Sequence, residues 1–165
     1  MRELQRNMRH VTCVPRPRMD TRPQFKITQL HTKARILAID DSADALTILR
    51  LFLEAEGFDV LTAGSASQAL AQIEARLPDL IITDHMMPGL TGLELCQQLR
   101  SQEATRHIPI IVHTALDLPP EATQLYDALF VKPADLTALV RRIRVLLAGS
   151  RLRAIRHTRF EAASA

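Results

Sequence analysis

The stretch LPDLIITDHMMPGLTG, residues 77–92, decides the fold. Pro78 ends whatever precedes it, and Leu80-Ile81-Ile82-Thr83 is a continuous apolar run of strand length. Such a run, uninterrupted by polar alternation, is what a parallel strand buried on both faces requires. Asp84 stands at its carboxyl end, and a helical pattern begins near Thr91 and extends to Ser101.

The same strand-then-helix unit repeats on either side. Upstream, Arg35–Ile39 is an apolar run ending in Asp40 and Asp41, followed by helical spacing over Asp44–Glu56 that Gly57 stops. Asp44 reads as a helix cap. Phe58–Thr62 reads as the second strand and Ser67–Leu77 as its helix. Downstream, Ile110–His113 is strand, Glu121–Tyr126 a short helix and Ala128–Val131 strand. Pro133 then opens a helix to about Ala148, with Gly149 past its end, the usual asymmetry of Pro first and Gly last. Five βα units joined by short connections imply a doubly wound five-stranded parallel sheet, flavodoxin-like in order 2-1-3-4-5, with helices on both faces.

Charge divides the 165 residues into three. Residues 1–35 are net +7, residues 36–140 net −10 and residues 141–165 net +6, so the formal +3 and the pI of about 9.3 describe the ends. Residues 1–33, with prolines at 15, 17 and 23, read as a basic, disordered arm. Residues 34–148 read as the folded domain and 149–165 as a basic tail. Only six aromatics are present, so the core is aliphatic. Cys13 and Cys96 fit neither a disulfide framework nor a metal motif, which points to a reducing compartment. With no apolar run of spanning length and no secretory leader, the expected location is cytoplasmic.

In sheets of this kind ligands bind beyond the carboxyl ends of the strands. There the sequence places Asp40 and Asp41 (strand one), Asp84 (strand three), Thr114 with Ala115 (strand four) and Lys132 with Pro133 (strand five). Two carboxylates ~4 Å apart repel by about 4 kcal/mol at an effective dielectric of 20, so such a site calls for cations. Hard oxygen donors suit Mg²⁺ better than Zn²⁺. A nucleophilic carboxylate, a phosphate-pairing lysine and a hydroxyl beside Mg²⁺ describe phosphoryl transfer to aspartate.

With these motifs in order, residues 34–148 resemble the receiver domain of two-component response regulators, of the stand-alone type. The resemblance implies that Asp84 accepts a phosphoryl group from a phosphohistidine of a sensor histidine kinase or histidine phosphotransfer protein. It implies that Asp41 and Asp84 ligate Mg²⁺, with Asp40 acting through water and the Met86 carbonyl completing the site. Lys132 would pair with the phosphoryl oxygens, Thr114 would hydrogen-bond them, and Ala115 would leave room. It further implies a phosphoacceptor signalling domain rather than a turnover enzyme, with an unknown downstream protein partner. Two departures stand out: Leu129 occupies the position where receivers commonly carry an aromatic, and the Thr114–Lys132 interval is about one helical turn short. His85, on the strand face opposite Asp84, and His107 and His113 read as structural. Met86 and Met87 read as loop packing and Cys96 as a buried or half-buried helix residue. The alternative function is a non-phosphorylated interaction module on the same fold, binding partners or nucleic acid through its basic ends. About sixteen residues follow Gly149, too few for a helix-turn-helix unit.

Overall fold

A computed structural model describes residues 33–161, with side chains described to Ser150. The basic arm, Lys33 apart, therefore lies outside the described residues, as does the end of the tail. The elements are β1 (Arg35–Ile39), α1 (Ala43–Ala55), β2 (Asp59–Ala63), α2 (Ala66–Ala75), β3 (Leu80–Thr83), α3 (Gly92–Ser101), β4 (Ile110–Thr114), a 3₁₀ turn (Pro120–Gln124), β5 (Ala128–Val131) and α4 (Leu136–Glu161). All strands are parallel in the order β2-β1-β3-β4-β5, as the repeat requires.

Alternation along each strand builds two aliphatic layers. Leu37, Ile39, Ile81, Ile110 and Val112 pack with Ala69 and Ile73 of α2 and with Leu95, Cys96 and Leu99 of α3. Ile36, Ala38, Leu80, Ile82 and Ile111 pack with Leu49 and Leu53 of α1 and with Leu139, Val140, Ile143 and Leu147 of α4. The two faces share central strands that are buried along nearly all their length, which fixes register and therefore the alignment of the strand ends. Ile39 lies opposite Thr83, and Thr114 opposite Val131. Cys96 is fully buried, and burial pushes its thiol up to about 12, so it is an inert core residue.

Helix ends differ from the sequence reading: α2 runs Ala66–Ala75 rather than Ser67–Leu77, the short helix expected at Glu121–Tyr126 is the 3₁₀ turn Pro120–Gln124, and three further differences have a visible cause. Ser42, not Asp44, caps α1: its hydroxyl accepts from the Ala45 N–H, while Asp44 sits in the first turn, where its charge favours the helix dipole. The last helix begins at Leu136 rather than Pro133, because the Asp135 carboxylate accepts from the Thr137 N–H at 2.8 Å and its carbonyl accepts from Leu139. That helix does not stop at Gly149 but continues to Glu161. One interior glycine costs a helix only about 1 kcal/mol, and the Arg, Leu and Ala residues around it are good helix formers. The connection from β4 to β5 is carried by the 3₁₀ turn alone.

Candidate functional site

The loops following β1, β3 and β5 meet at the carboxyl edge of the sheet. Asp40 and Asp84 are buried, Asp41 is exposed, and carboxylate oxygens of all three lie within 4.8 Å of one another. Lys132 reaches in from β5 and places Nζ 2.6 Å from Asp40 Oδ2 and 2.8 Å from Asp84 Oδ2. One ammonium thus faces three carboxylates, which leaves the cluster two negative charges in excess.

Each acid is held by its own backbone. The Asp40 N–H donates to the Ala63 carbonyl and the Asp84 N–H to the Ile39 carbonyl, so both residues continue the sheet by one hydrogen bond. Asp40 Oδ1 accepts from the Ser42 N–H at 2.9 Å. Asp84 Oδ1 accepts from the His85 N–H at 2.6 Å and, more weakly, from the Met86 N–H at 3.4 Å. Oδ1 of Asp84 is thus pinned by main chain and Oδ2 faces the Lys132 ammonium.

Burial by itself would push Asp84 up, but the Lys132 hydrogen bond and charge, the His85 N–H and the Thr114 hydroxyl together hold it below its ordinary value. Burial would likewise pull Lys132 down, and the Asp40 and Asp84 carboxylates outweigh it, so the ammonium is held above its ordinary value. Thr114 is buried, and its Oγ1 accepts from the Leu116 N–H at 3.3 Å. Its carbonyl accepts from the Lys132 N–H at 2.8 Å, which couples the hydroxyl and the lysine through one ladder bond. His113, one residue earlier, is half-buried, and burial first and then the charge on Lys132 hold it below its ordinary value against the opposing pull of Asp40 and Asp84. Its Nε2, like His85 Nδ1, is buried without a hydrogen-bond partner among the described residues.

These shifts have an acid–base consequence. A carboxylate depressed by its partner contributes stability that is present above its unfolded value and is lost as pH falls through the folded one. Asp84 in the native chain behaves this way. In Lys132→Met the largest opposing influence on burial is gone, so the depression of Asp84 is reduced. Without divalent cation, the native chain should therefore lose more thermal stability than that variant as pH falls from 5 to 3. Parallel falling curves would contradict the pairing.

The sequence reading brought Asp40, Asp41, Asp84, Lys132 and Thr114 to one edge, and the structure places them there with Met86 in the adjoining loop. The Met86 side chain is exposed, whereas Met87 packs into the core. Gly92, missed as a determinant, is the first residue of α3, and its N–H donates to the His85 carbonyl at 2.9 Å. A Cβ built there would collide with the Asp84 carbonyl oxygen and lie 2.9 Å from both the Asp84 carbonyl carbon and His85 Cα. The Thr91–Glu94 capping box fixes this helix start: the Glu94 N–H donates to Thr91 Oγ1, and Glu94 Oε2 accepts from the Thr91 N–H.

Comparison with known proteins gives a consistent picture. The sequence profile of the response regulator receiver domain matches residues 36–144. Response regulator PleD of Caulobacter vibrioides is 38% identical over 117 residues, covering 68% of this chain and 26% of that protein. The phosphate regulon transcriptional regulatory protein PhoB of Rhizobium meliloti is 37% identical over 117 residues, covering 68% of this chain and 52% of that protein. The chain therefore spans about a quarter of the one and about half of the other. Among solved structures, the signal receiver domain of a signal transduction histidine kinase from Syntrophus aciditrophicus superposes with a TM-score of 0.65 at 30% identity, over 70% of this chain and 91% of that one. A CheY-like response regulator receiver domain protein from Methanospirillum hungatei gives a TM-score of 0.68 at 26% identity, over 74% of this chain and 99% of that one.

Proposed function

The chain belongs to the response regulator receiver domain family of two-component systems, and we propose that in it Asp84 accepts a phosphoryl group from a phosphohistidine in a Mg²⁺-dependent reaction. The observation that supports this best is the bridge from Lys132 to Asp40 and Asp84, with Asp41 completing the acidic cluster. It joins residues far apart in sequence for no purpose that packing requires.

The donor set fits Mg²⁺: three hard carboxylates with excess negative charge and one exposed member open to water. Asp41, Asp84 and the Met86 carbonyl would hold the ion directly. Asp40, already engaged by Lys132 and the Ser42 N–H, would act through water. When bound, Mg²⁺ supplies positive charge to the phosphoryl oxygens. The Asp84 carboxylate attacks phosphorus in line; the new O–P bond forms as the P–N bond breaks, and imidazole leaves with that electron pair. Lys132 exchanges a carboxylate for a phosphoryl oxygen, and the Thr114 hydroxyl turns from Leu116 toward the same group. Positioning and charge balance, rather than acid–base chemistry, drive the step. The domain acts as a phosphoacceptor and signals through phosphorylation-dependent protein binding or relay. Among the described residues no helix is long and apolar enough to cross a membrane.

Incubation with acetyl phosphate, read on a phosphate-affinity gel, tests the reading. A shifted band should require Mg²⁺ and vanish with EDTA; equal labelling in EDTA would refute the metal dependence, and no labelling in either would favour a non-phosphorylated interaction module. Mg²⁺ at a hundred times its dissociation constant should stabilise the fold by about 2.7 kcal/mol. That appears as a rise of several degrees in the melting midpoint, absent in Asp41→Asn.

A further inference from the structure

The opposite edge of the sheet carries a cleft that the phosphoryl chemistry does not use. Lys33, Arg35, Asp59, Arg76, Leu77 and Asp79 line a hollow of about 480 Å³ at the amino ends of β1, β2 and β3. Along β1 it lies about 16 Å from the acidic cluster, the rise of roughly five strand residues. Its floor is fixed. The Arg35 N–H donates to Asp79 Oδ2 at 2.7 Å, and the Asp79 N–H returns a bond to the Arg35 carbonyl at 2.8 Å. The Arg35 guanidinium holds Asp59 Oδ2 at 2.9 Å through both Nε and Nη2. The cleft is therefore preformed, and its volume is that of a small-molecule site.

The walls keep donors and acceptors that the floor does not consume. Lys33 and Arg76 are exposed and make no ion pair among the described residues. Asp59 and Asp79 both engage Arg35 through Oδ2, and Oδ1 of each accepts no hydrogen bond among the described residues. Leu77 adds an apolar side chain that is 47% exposed. Three cations against two carboxylates leave the cleft net positive, on a domain whose residues 36–140 are net −10. Residues 1–32, with seven Lys/Arg and two Asp/Glu, lead directly into Lys33 and add to the positive charge. A concave surface of one sign concentrates ions of the other. Stapling the strand starts needs only Arg35, Asp59 and Asp79, and gives Lys33 and Arg76 no reason to line the same hollow.

We infer that this cleft binds a small phosphate ester of a hydroxylated ring, a nucleotide or a sugar phosphate. The phosphate sits between Lys33 and Arg76, whose guanidinium offers it paired hydrogen bonds. Ring hydroxyls donate to the open Oδ1 atoms of Asp59 and Asp79, and the apolar face of the ligand rests on Leu77. The two carboxylates separate this site from a plain anion patch, because they repel a bare phosphate and reward a ligand that brings hydroxyls. The site shares no residue with the Asp84 cluster, so its occupancy and the labelling of Asp84 are separate observables.

Titration calorimetry of the full chain at low salt tests this, with EDTA present to keep metal out of the acidic cluster. The probes are adenosine monophosphate, ribose 5-phosphate and inorganic phosphate. Both esters should bind at least about tenfold more tightly than inorganic phosphate. A tighter nucleotide assigns the site to nucleotides, and equal binding of the two esters assigns it to sugar phosphates. Arg76→Glu and Lys33→Glu should each weaken the esters at least about tenfold while acetyl-phosphate labelling proceeds at the native rate. Amide NMR shifts of the native chain should centre on Lys33, Arg76, Leu77 and Asp79 and leave Asp41 and Thr114 in place. Inorganic phosphate as tight as either ester, binding indifferent to Arg76→Glu, shifts centred on Asp84, or no heat from any probe at millimolar concentration would overturn the inference. The shift map needs no variant, so the test stands even if a substitution misfolds.

Discussion

Asp84→Asn should reduce acetyl-phosphate labelling to background while leaving the fold in place. The amide retains the shape of the carboxylate and can still accept from the His85 and Met86 N–H groups through its oxygen. What it lacks is a nucleophilic, charged oxygen facing Lys132. The loss is therefore one of chemistry. Stability should change little, because removing one of three mutually repelling carboxylates offsets the loss of one of the two partners of Lys132. Asp40→Asn supplies the contrast: labelling should slow but persist, since Asp40 is a neighbour of the acceptor rather than the acceptor. Gel shift and thermal denaturation on the same samples separate the two effects. Undiminished labelling of Asp84→Asn would remove Asp84 from its role.

Gly92→Ala should damage the protein more than the same change at Gly64 or Gly149. At Gly92 the new carbon meets backbone, the Asp84 carbonyl and His85 Cα, and backbone cannot rotate away as a side-chain tip can. Overpacking a rigid site costs about 1–3 kcal/mol, and occasionally more. Here the displaced atoms belong to the acceptor itself, so the damage reaches chemistry: a shift of the Asp84 carbonyl moves its carboxylate away from Lys132. An unfolding midpoint lowered by several degrees and labelling slowed at least about tenfold are expected. The matched control is Gly149→Ala, where nothing lies within 4 Å and the residue is inside α4. That change should stabilise by up to about 1 kcal/mol, the helix propensity difference. Opposite signs at two glycines would tie the Gly92 cost to close approach.

Much of this was legible in the chain because buried parallel strands leave uninterrupted apolar runs. Arg35–Ile39, Leu80–Thr83 and Ile110–His113 announce themselves, and whatever follows them must lie at one edge of the sheet. Asp40, Asp41, Asp84, Thr114 and Lys132 could be placed by that argument. Helix ends were less legible, because competing caps differ by little energy. Ser42 and Asp44 are both good caps, and only the geometry of the loop after Asp40 selects the serine. Pro133 looked like a first helical residue, but Asp135, two residues on, supplies the oxygen that the first turn needs. Gly149 resembled a stop, yet a glycine stop works through positive φ and a chain that turns away; Gly57 has φ of 93°, whereas Gly149 lies within the helix. The sharing of Lys132 between Asp40 and Asp84 was not visible at all, since sequence orders strand ends but does not say which oxygen an ammonium will reach.

The account rests on one covalent bond, to one side chain, and that bond can be trapped. Borohydride reduces an aspartyl phosphate to homoserine at the residue that carried it. After acetyl phosphate and Mg²⁺ treatment, reduction and peptide mass spectrometry should find homoserine at position 84, with Asp40 and Asp41 unchanged. Homoserine at 40 or 41, or a phosphoryl group on His85 or His113 that resists reduction, would contradict it.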